Sequence, residues 1–473
     1  MKYFYTKEND SFCSSVGSSI LCCHDSIIHS FISFADKKYK RLSVYNCTIM
    51  SFFGLDAENL EVINLHKVNI CNMNGLQKAS SLREMYFYFT DLRNISDLSH
   101  VPKNVTIFRF ENVSSLVPID EIPKNVKKLY CKFIPLYSCD SSVKKRNLKN
   151  MPNQVGELYV SYCDLKSLKG LADSVSVLNC SNNHLKNLKH LDTSAVEEIN
   201  CSSNRLITLE HLPFRTVKNM NCSSNFISDL SPVQNLKFLS YLDISNNPIA
   251  KFGKYLSNLQ FLEYLFCVNC QLSSLDGIPR SVRYFDCSSN INCSPGGFRK
   301  GILPKNMIYF SCRNINLESL ANLPDGLKTL DVSENKISTF LFMIPKSLQN
   351  FNCSSNSLIS LNGLEVATFL KKINFNANRV TSLAGIPLST KFIYGEYNLL
   401  NSFKYLPEKA EHVRVDILES IFINGNNNLE EIKELSGTSK FRILQEDCRN
   451  NKKSSSYVKW VNETQIYFLH EYF

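Results

Sequence analysis

The sequence predicts a curved solenoid, with short strands side by side in a parallel sheet on the concave wall and an extended, nearly helix-free convex side. Three observations carry this. A frame, V-x-x-L-x-C-x-x-N-x-L-x-x-L, fits residues 175–188 and returns at 196–209, 217–230, 327–340 and 348–361. Aliphatic or aromatic residues fill its leucine slots. The frame also keeps a period: the leucine two residues before Cys180 has counterparts at Leu42, Ile63, Met85, Phe108, Leu129, Leu158, Leu178, Ile199, Met220, Leu242, Leu265, Phe285, Phe310, Leu330, Phe351, Ile373, Ile393 and Val413. These are eighteen repeats, and 371 residues over 17 steps average about 22 per coil. Finally, an Ile/Leu-Pro-type run precedes many strands, as in VPKNV at 101–105, IPKNV at 122–126, LPKNM at 303–307 and IPKSL at 344–348.

Each part of a coil follows from these residues. Side chains alternate across a strand, so Leu178 and Cys180 point inward while Val177 and Asn179 point out. An asparagine ends the strand where the chain turns inward. Proline then fixes φ and donates no hydrogen bond, which suits an extended return arm and leaves little helix. One coil cannot bury its apolar side alone; stacking makes the core. Repeats are expected over residues 39–423, with a partly helical N-terminal cap at 1–38 and a C-terminal cap or tail at 424–473. SSILCCHDSIIHSFISF at 18–34 has a helical face, LEEIKELSG at 429–437 resembles a short helix, and the last segment, with Trp460, is strand-like.

The unit resembles the bacterial short-repeat leucine-rich class, L-x-x-L-x-V-x-x-N-x-L-x-x-L-P-x-L-P, found in YopM/IpaH-type effector proteins. LPDGLKTLDVSENKISTF at 323–340 carries the resemblance best, and it extends over about residues 40–420. Many copies lack the doubled proline. The resemblance implies a leucine-rich-repeat solenoid that holds a host protein on its concave face after delivery into a host cell. IpaH-type relatives add a ubiquitin-ligase domain with a Cys-x-Asp motif. Here Cys448 sits in QEDCRNN without that aspartate, and about fifty residues after the repeats are too few for a separate catalytic domain.

Composition excludes several classes. The net charge of +10 is mild over 473 residues, and Lys144, Lys145 and Arg146 read as a solvated loop, so no nucleic acid is expected. No run reaches the roughly 18 apolar residues of a spanning helix, and the N-terminus lacks a secretory apolar core.

Eleven of the eighteen cysteines are placed by the frame itself. Cys131, Cys180, Cys201, Cys222, Cys267, Cys287, Cys312 and Cys353 take the second inward position, where a thiol acts as a small hydrophobe. Cys47, Cys163 and Cys270 stand in the slot otherwise held by Asn183, Asn204, Asn225, Asn247, Asn290, Asn335, Asn356, Asn378 and Asn398. Cys267-x-x-Cys270 is solitary and Cys22-Cys23-His24 is a weak cluster, so no metal or other cofactor is expected. Thiols on strands about 4.8 Å apart fit a reducing, cytoplasmic compartment (the host cytoplasm for a delivered effector). The Asn-Cys-Ser sequons at Asn179, Asn200, Asn221 and Asn352 agree, since all four face the sheet surface.

Function is expected on that surface. The residues flanking each anchor supply Tyr86, Tyr88, Tyr130 and Tyr159, then Tyr241, Tyr264, Phe266, Tyr284, Tyr309 and Arg313. Tyrosine precedes the anchor in four consecutive coils. Aromatics favour strands and stack on them in any case, but tyrosine and arginine are also enriched at binding hot spots. No P-loop, G-x-S-x-G or H-E-x-x-H appears. The sequence therefore points to a non-catalytic scaffold with a protein partner. Its alternatives are a ligase using Cys448 and an adaptor of the producing cell.

Overall fold

A computed structural model describes residues 2–5, 12–15, 20–32, 38–417, 442–446 and 456–461, apart from short segments at 56–57, 93–97, 114–116, 135, 141–142, 193, 294–295, 341–342 and 402. The chain divides into two compact units, Met1–Tyr241 and Leu242–Phe473.

In the first unit, ten strands from Ile20–His24 to Asn219–Asn221 pair in parallel, each with the next coil's strand. The register sets anchor against anchor: Leu42 faces Ile63, Met85 faces Phe108, and Leu178 faces Ile199. The second unit repeats the arrangement from Tyr264–Phe266 to His412–Ile417. All eighteen expected anchors occupy the second residue of a strand. Among the described residues, helix is confined to short 3-10 turns such as Leu76–Lys78, Ser231–Asn235 and Leu364–Val366. Among the described residues the return segments between strands are otherwise turns and irregular backbone, compatible with their prolines.

One expectation is overturned. Residues 20–24 are not helical but form a strand, and Leu21 pairs with Leu42 as the anchor of a further coil. Its alternation has period two: Leu21 and Cys23 are buried while Cys22 and His24 are not. Hydrogen bonding to the neighbouring strand then outweighs the local helical spacing. Ahead of it, Lys2–Tyr5 and Phe12–Ser15 add antiparallel strands. At the far end, Ser456–Val461 pairs antiparallel with His412–Ile417 and with Arg442–Glu446. The segment 429–437 lies outside the described residues.

The core is the inward side of the coils. Every anchor is at most 3 % exposed, and the eight inward cysteines are at most 1 % exposed. Fifteen cysteines are described, each as a free thiol. Inward thiols donate to the next strand's carbonyl, as Cys201 does to Asn221 O (3.5 Å) and Cys267 to Asp286 O (3.3 Å).

The asparagine slot ties coil to coil. Asn183 Nδ2 donates to the carbonyls of Val160, Cys180 and Ser181, while its Oδ1 accepts from the backbone N–H of Cys163 and Leu165. Cysteine in the slot copies the donor half only: Cys163 Sγ lies 3.2 Å from Cys131 O, and Cys270 Sγ lies 3.2 Å from Ile244 O. Asparagine-free coils at the N-terminal end carry five-residue strands, from Ile20–His24 to Glu157–Ser161, whereas the strands from Val177–Asn179 to Lys372–Asn374 have three residues. Within that shorter set, Cys270 and Ile315 are the slot residues that are not asparagine.

Candidate functional site

Outward side chains form rows across each sheet because the strands are in register. In the second unit Tyr264, Tyr284 and Tyr309 are successive partners in one row. The rings of Tyr264 and Tyr284 stack at 4.5 Å and 7°. All three are half-buried, as is Phe266 on the adjacent outward row, where its partner is Asp286. Burial first, then the carboxylates of Asp286 and Asp331, raise the Tyr309 hydroxyl above its ordinary range. Arg313 is exposed and ion-paired to Glu334, which raises it above the usual guanidinium value. Tyr241 ends the first unit, half-buried in the strand Tyr241–Asp243.

The first unit gathers its own aromatic set. Tyr130 and Tyr159 stack at 4.5 Å and 9°, above the Lys128–Glu157 ion pair at 2.7 Å. Tyr86 donates its hydroxyl to Glu84 (2.7 Å), and burial, followed by that carboxylate, pushes its pKa up to about 12. The Arg109 guanidinium lies 5.5 Å from the Tyr88 ring and 5.4 Å from the Tyr130 ring, within cation–π range. Glu111 accepts from it at 3.2 Å. A further run continues from Tyr88 toward the N-terminus: His66 at 6.3 Å, then Tyr45 5.9 Å from His66, then His24 stacked on Tyr45 at 4.9 Å. Arg109, Tyr45 and His66 were not singled out in the sequence, and His24 was weighed only as part of a metal cluster. Tyr45, His66 and His24 share one row. They sit at the fifth strand position, which exists only because these strands run to five residues.

A third row follows the strand ends. The residue four positions after the anchor takes positive φ in coil after coil, at values from 47° for Asp25 to 59° for Ser289. Asn, Asp or Ser fills many of these positions, since short polar side chains tolerate the left-handed region. Phe89, Phe133 and Tyr162 break that rule at φ 51–56°, with exposures of 53, 42 and 45 %. Phe133 stacks on Tyr162 at 4.4 Å and lies under Lys132 Nζ at 5.1 Å.

The Asn-Cys-Ser motif has a structural role. Asn179 Oδ1 accepts from both the backbone N–H (3.1 Å) and the hydroxyl (2.8 Å) of Ser181. Asn200, Asn221 and Asn352 repeat this turn. Among the described residues no group of three or more His, Cys, Asp or Glu is arranged to hold a metal, and no helix is long and apolar enough to cross a membrane. Cys448 lies outside the described residues.

No family model matches the chain. Among curated proteins, it is 23 % identical over 218 residues to human oligodendrocyte-myelin glycoprotein, covering 40 % of this chain and 49 % of that one. It is 26 % identical over 162 residues to chimpanzee toll-like receptor 2, covering 32 % of this chain and 20 % of the receptor. The chain thus spans about half of the first relative and a fifth of the second. Among solved structures, YopM from Yersinia enterocolitica matches with a TM-score of 0.57 at 22 % identity, over 80 % of this chain and 82 % of YopM. A leucine-rich-repeat protein from Leptospira interrogans matches at 0.51 and 16 % identity, over 76 and 90 % of the two chains. Mouse RP105, solved in a complex with MD-1, matches at 0.55 and 13 % identity, over 84 and 75 %. The fold of this chain is the leucine-rich-repeat solenoid, as the sequence frame indicates.

Proposed function

We propose that this leucine-rich-repeat chain is a non-catalytic scaffold that captures a protein partner on the outward face of its sheet. The observation that carries the reading is the half-buried tyrosine row of Tyr264, Tyr284 and Tyr309, whose first two rings stack. Rings already stacked on a rigid ladder lose little side-chain freedom on binding, which favours their use as anchors. The similarity to YopM supports a narrower form: an effector whose partner is a host protein met in the host cytoplasm. Free inward thiols, and outward sequons that a glycosylating compartment would modify, support a reducing location. A chain carrying both Tyr264→Ala and Tyr284→Ala tests the reading by affinity capture from a eukaryotic lysate. Loss of the proteins retained by the unchanged chain is expected. Undiminished capture by the folded variant overturns it.

A further inference from the structure

We propose that the Tyr264–Tyr284–Tyr309 face takes a basic, extended protein segment, whose arginine or lysine side chains lie on the rings and reach the carboxylates of Asp286 and Asp331. This rests on the protein-binding reading above and names the partner's chemistry.

The turn at the strand end does not account for the carboxylates. Asp331 accepts from the backbone N–H (2.9 Å) and hydroxyl (2.6 Å) of Ser333 and, on its other oxygen, from Asn352 Nδ2 (2.9 Å), and Asp286 accepts from the N–H of Ser288 (2.9 Å). A neutral amide oxygen performs that job at Asn179, Asn200, Asn221 and Asn352. The turn itself therefore does not need the negative charge. That charge also carries a cost: burial, only partly offset by the Ser288 and Ser311 donors, holds the Asp286 carboxyl above its ordinary range.

The charges meet the aromatic row. Asp286 and Asp331 flank Ser311 in the register, and Tyr309 feels both carboxylates. Among the described residues no cation lies within ion-pair distance of either one, and the nearby Arg313 is held by Glu334. The first unit shows what fills such a place. There Arg109 sits between the rings of Tyr88 and Tyr130 and pairs with Glu111, so ring, cation and carboxylate coexist within one chain. On the second unit's face the rings and carboxylates are present, and a partner would bring the cation. From the Tyr264 strand to the Asp331 strand is three steps of about 4.8 Å, so a crossing segment needs only about five extended residues. The whole chain carries +10, so capture of a polycation must be local rather than a bulk charge effect.

The test uses the full chain and a fluorescent peptide alternating arginine and serine, with matched peptides carrying glutamine or glutamate in place of arginine. Anisotropy should show binding of the arginine peptide and at least about tenfold weaker binding of the other two. Asp286→Asn with Asp331→Asn keeps the acceptor oxygen of each turn and gives up only the Asn352 bond to Asp331, so the double variant should stay folded with a modestly lower thermal midpoint and lose at least about tenfold in affinity. Equal binding by that folded variant, or by the glutamine peptide, overturns the proposal. If lysate capture still depends on Tyr264 and Tyr284 while no arginine peptide binds, the scaffold reading stands and this assignment falls.

Discussion

Phe375 occupies the space that a side chain on Gly395 would need: a Cβ there would lie 2.2 Å from Phe375 Cζ and 2.5 Å from its Cε2. Both residues hold the second inward position of adjacent coils, where other coils carry cysteine, an aliphatic residue or, at Phe87 and Phe110, phenylalanine. Phe375 is fully buried, so its ring has nowhere cheap to go. Gly395→Ala should lower stability by about 1–3 kcal/mol through overpacking. Phe375→Leu should relieve the clash, so the double variant should lose less than the two single losses added together. Urea midpoints of the four chains form the cycle; strict additivity would show that the two sites do not share that volume.

Asn183 closes a second inter-coil tie. It serves two backbone donors in the preceding coil and three carbonyls, all buried. Each group left without a partner costs about 1–3 kcal/mol. Asn183→Ala should therefore destabilise by about 3 kcal/mol or more. Asn183→Cys should cost less, because Cys163 and Cys270 show a thiol replacing the donor half in the same slot. Hydrogen exchange at the Cys163 and Leu165 amides checks the assignment directly. Both amides should exchange faster in either variant, since neither supplies the acceptor oxygen.

Much of this was legible in the sequence because a solenoid writes its register into its spacing. Leu178, Ile199 and Met220 recur in phase since each must fall on the inward side of an in-register strand. The coil of Leu21 was hidden for a physical reason: it has serine where later coils hold asparagine, and its leucine–cysteine alternation is too short to separate from a helical face. Tyr264, Tyr284 and Tyr309 were visible because they adjoin an anchor. The His24, Tyr45 and His66 run was not, because it depends on strand length rather than on anchor position. Arg109 looked like any outward residue; the register pairs it with Tyr86 and Tyr130, and only its guanidinium's reach brings it to the Tyr88 ring.

The inward thiols make stability depend on alkaline pH. Burial raises Cys180, Cys267 and Cys312 well above the ordinary thiol value of 9.0, and takes Cys201 and Cys270 to about 12. Above pH 9 the unfolded chain releases these protons while the folded chain keeps them. The unfolded state then binds fewer protons, and stability falls as pH rises. The window opens near 9 and extends to about 12, the folded value of Cys201 and Cys270. Each such thiol contributes a slope of up to about 1.4 kcal/mol per pH unit. Thermal midpoints should fall across this range, and less steeply in a chain carrying Cys201→Val. The same burial predicts that iodoacetamide modifies the partly exposed Cys22 and Cys71 in the native chain while sparing Cys201.

The left-handed aromatics allow stability and binding to be separated. Phe89 holds φ 51° with its ring 53 % exposed, so it bears backbone strain while burying little surface. The next coil uses Asn112 at the same position, and Asn46 holds it two coils before, both without that strain. Phe89→Asn should raise stability by roughly 0.5–1 kcal/mol, the relief of left-handed strain less the contact with the His66 ring. Phe133→Asn should gain less, because it also gives up the Tyr162 stack and the Lys132 contact. Thermal midpoints should therefore rank Phe89→Asn above Phe133→Asn, and the reverse order would refute the strain argument. A strained, exposed ring is retained where it does something the fold does not need. If that use is binding, the stabilised Phe89→Asn chain should retain less partner from a lysate than the unchanged one. Equal retention would leave the first unit's aromatic row with a stacking role alone.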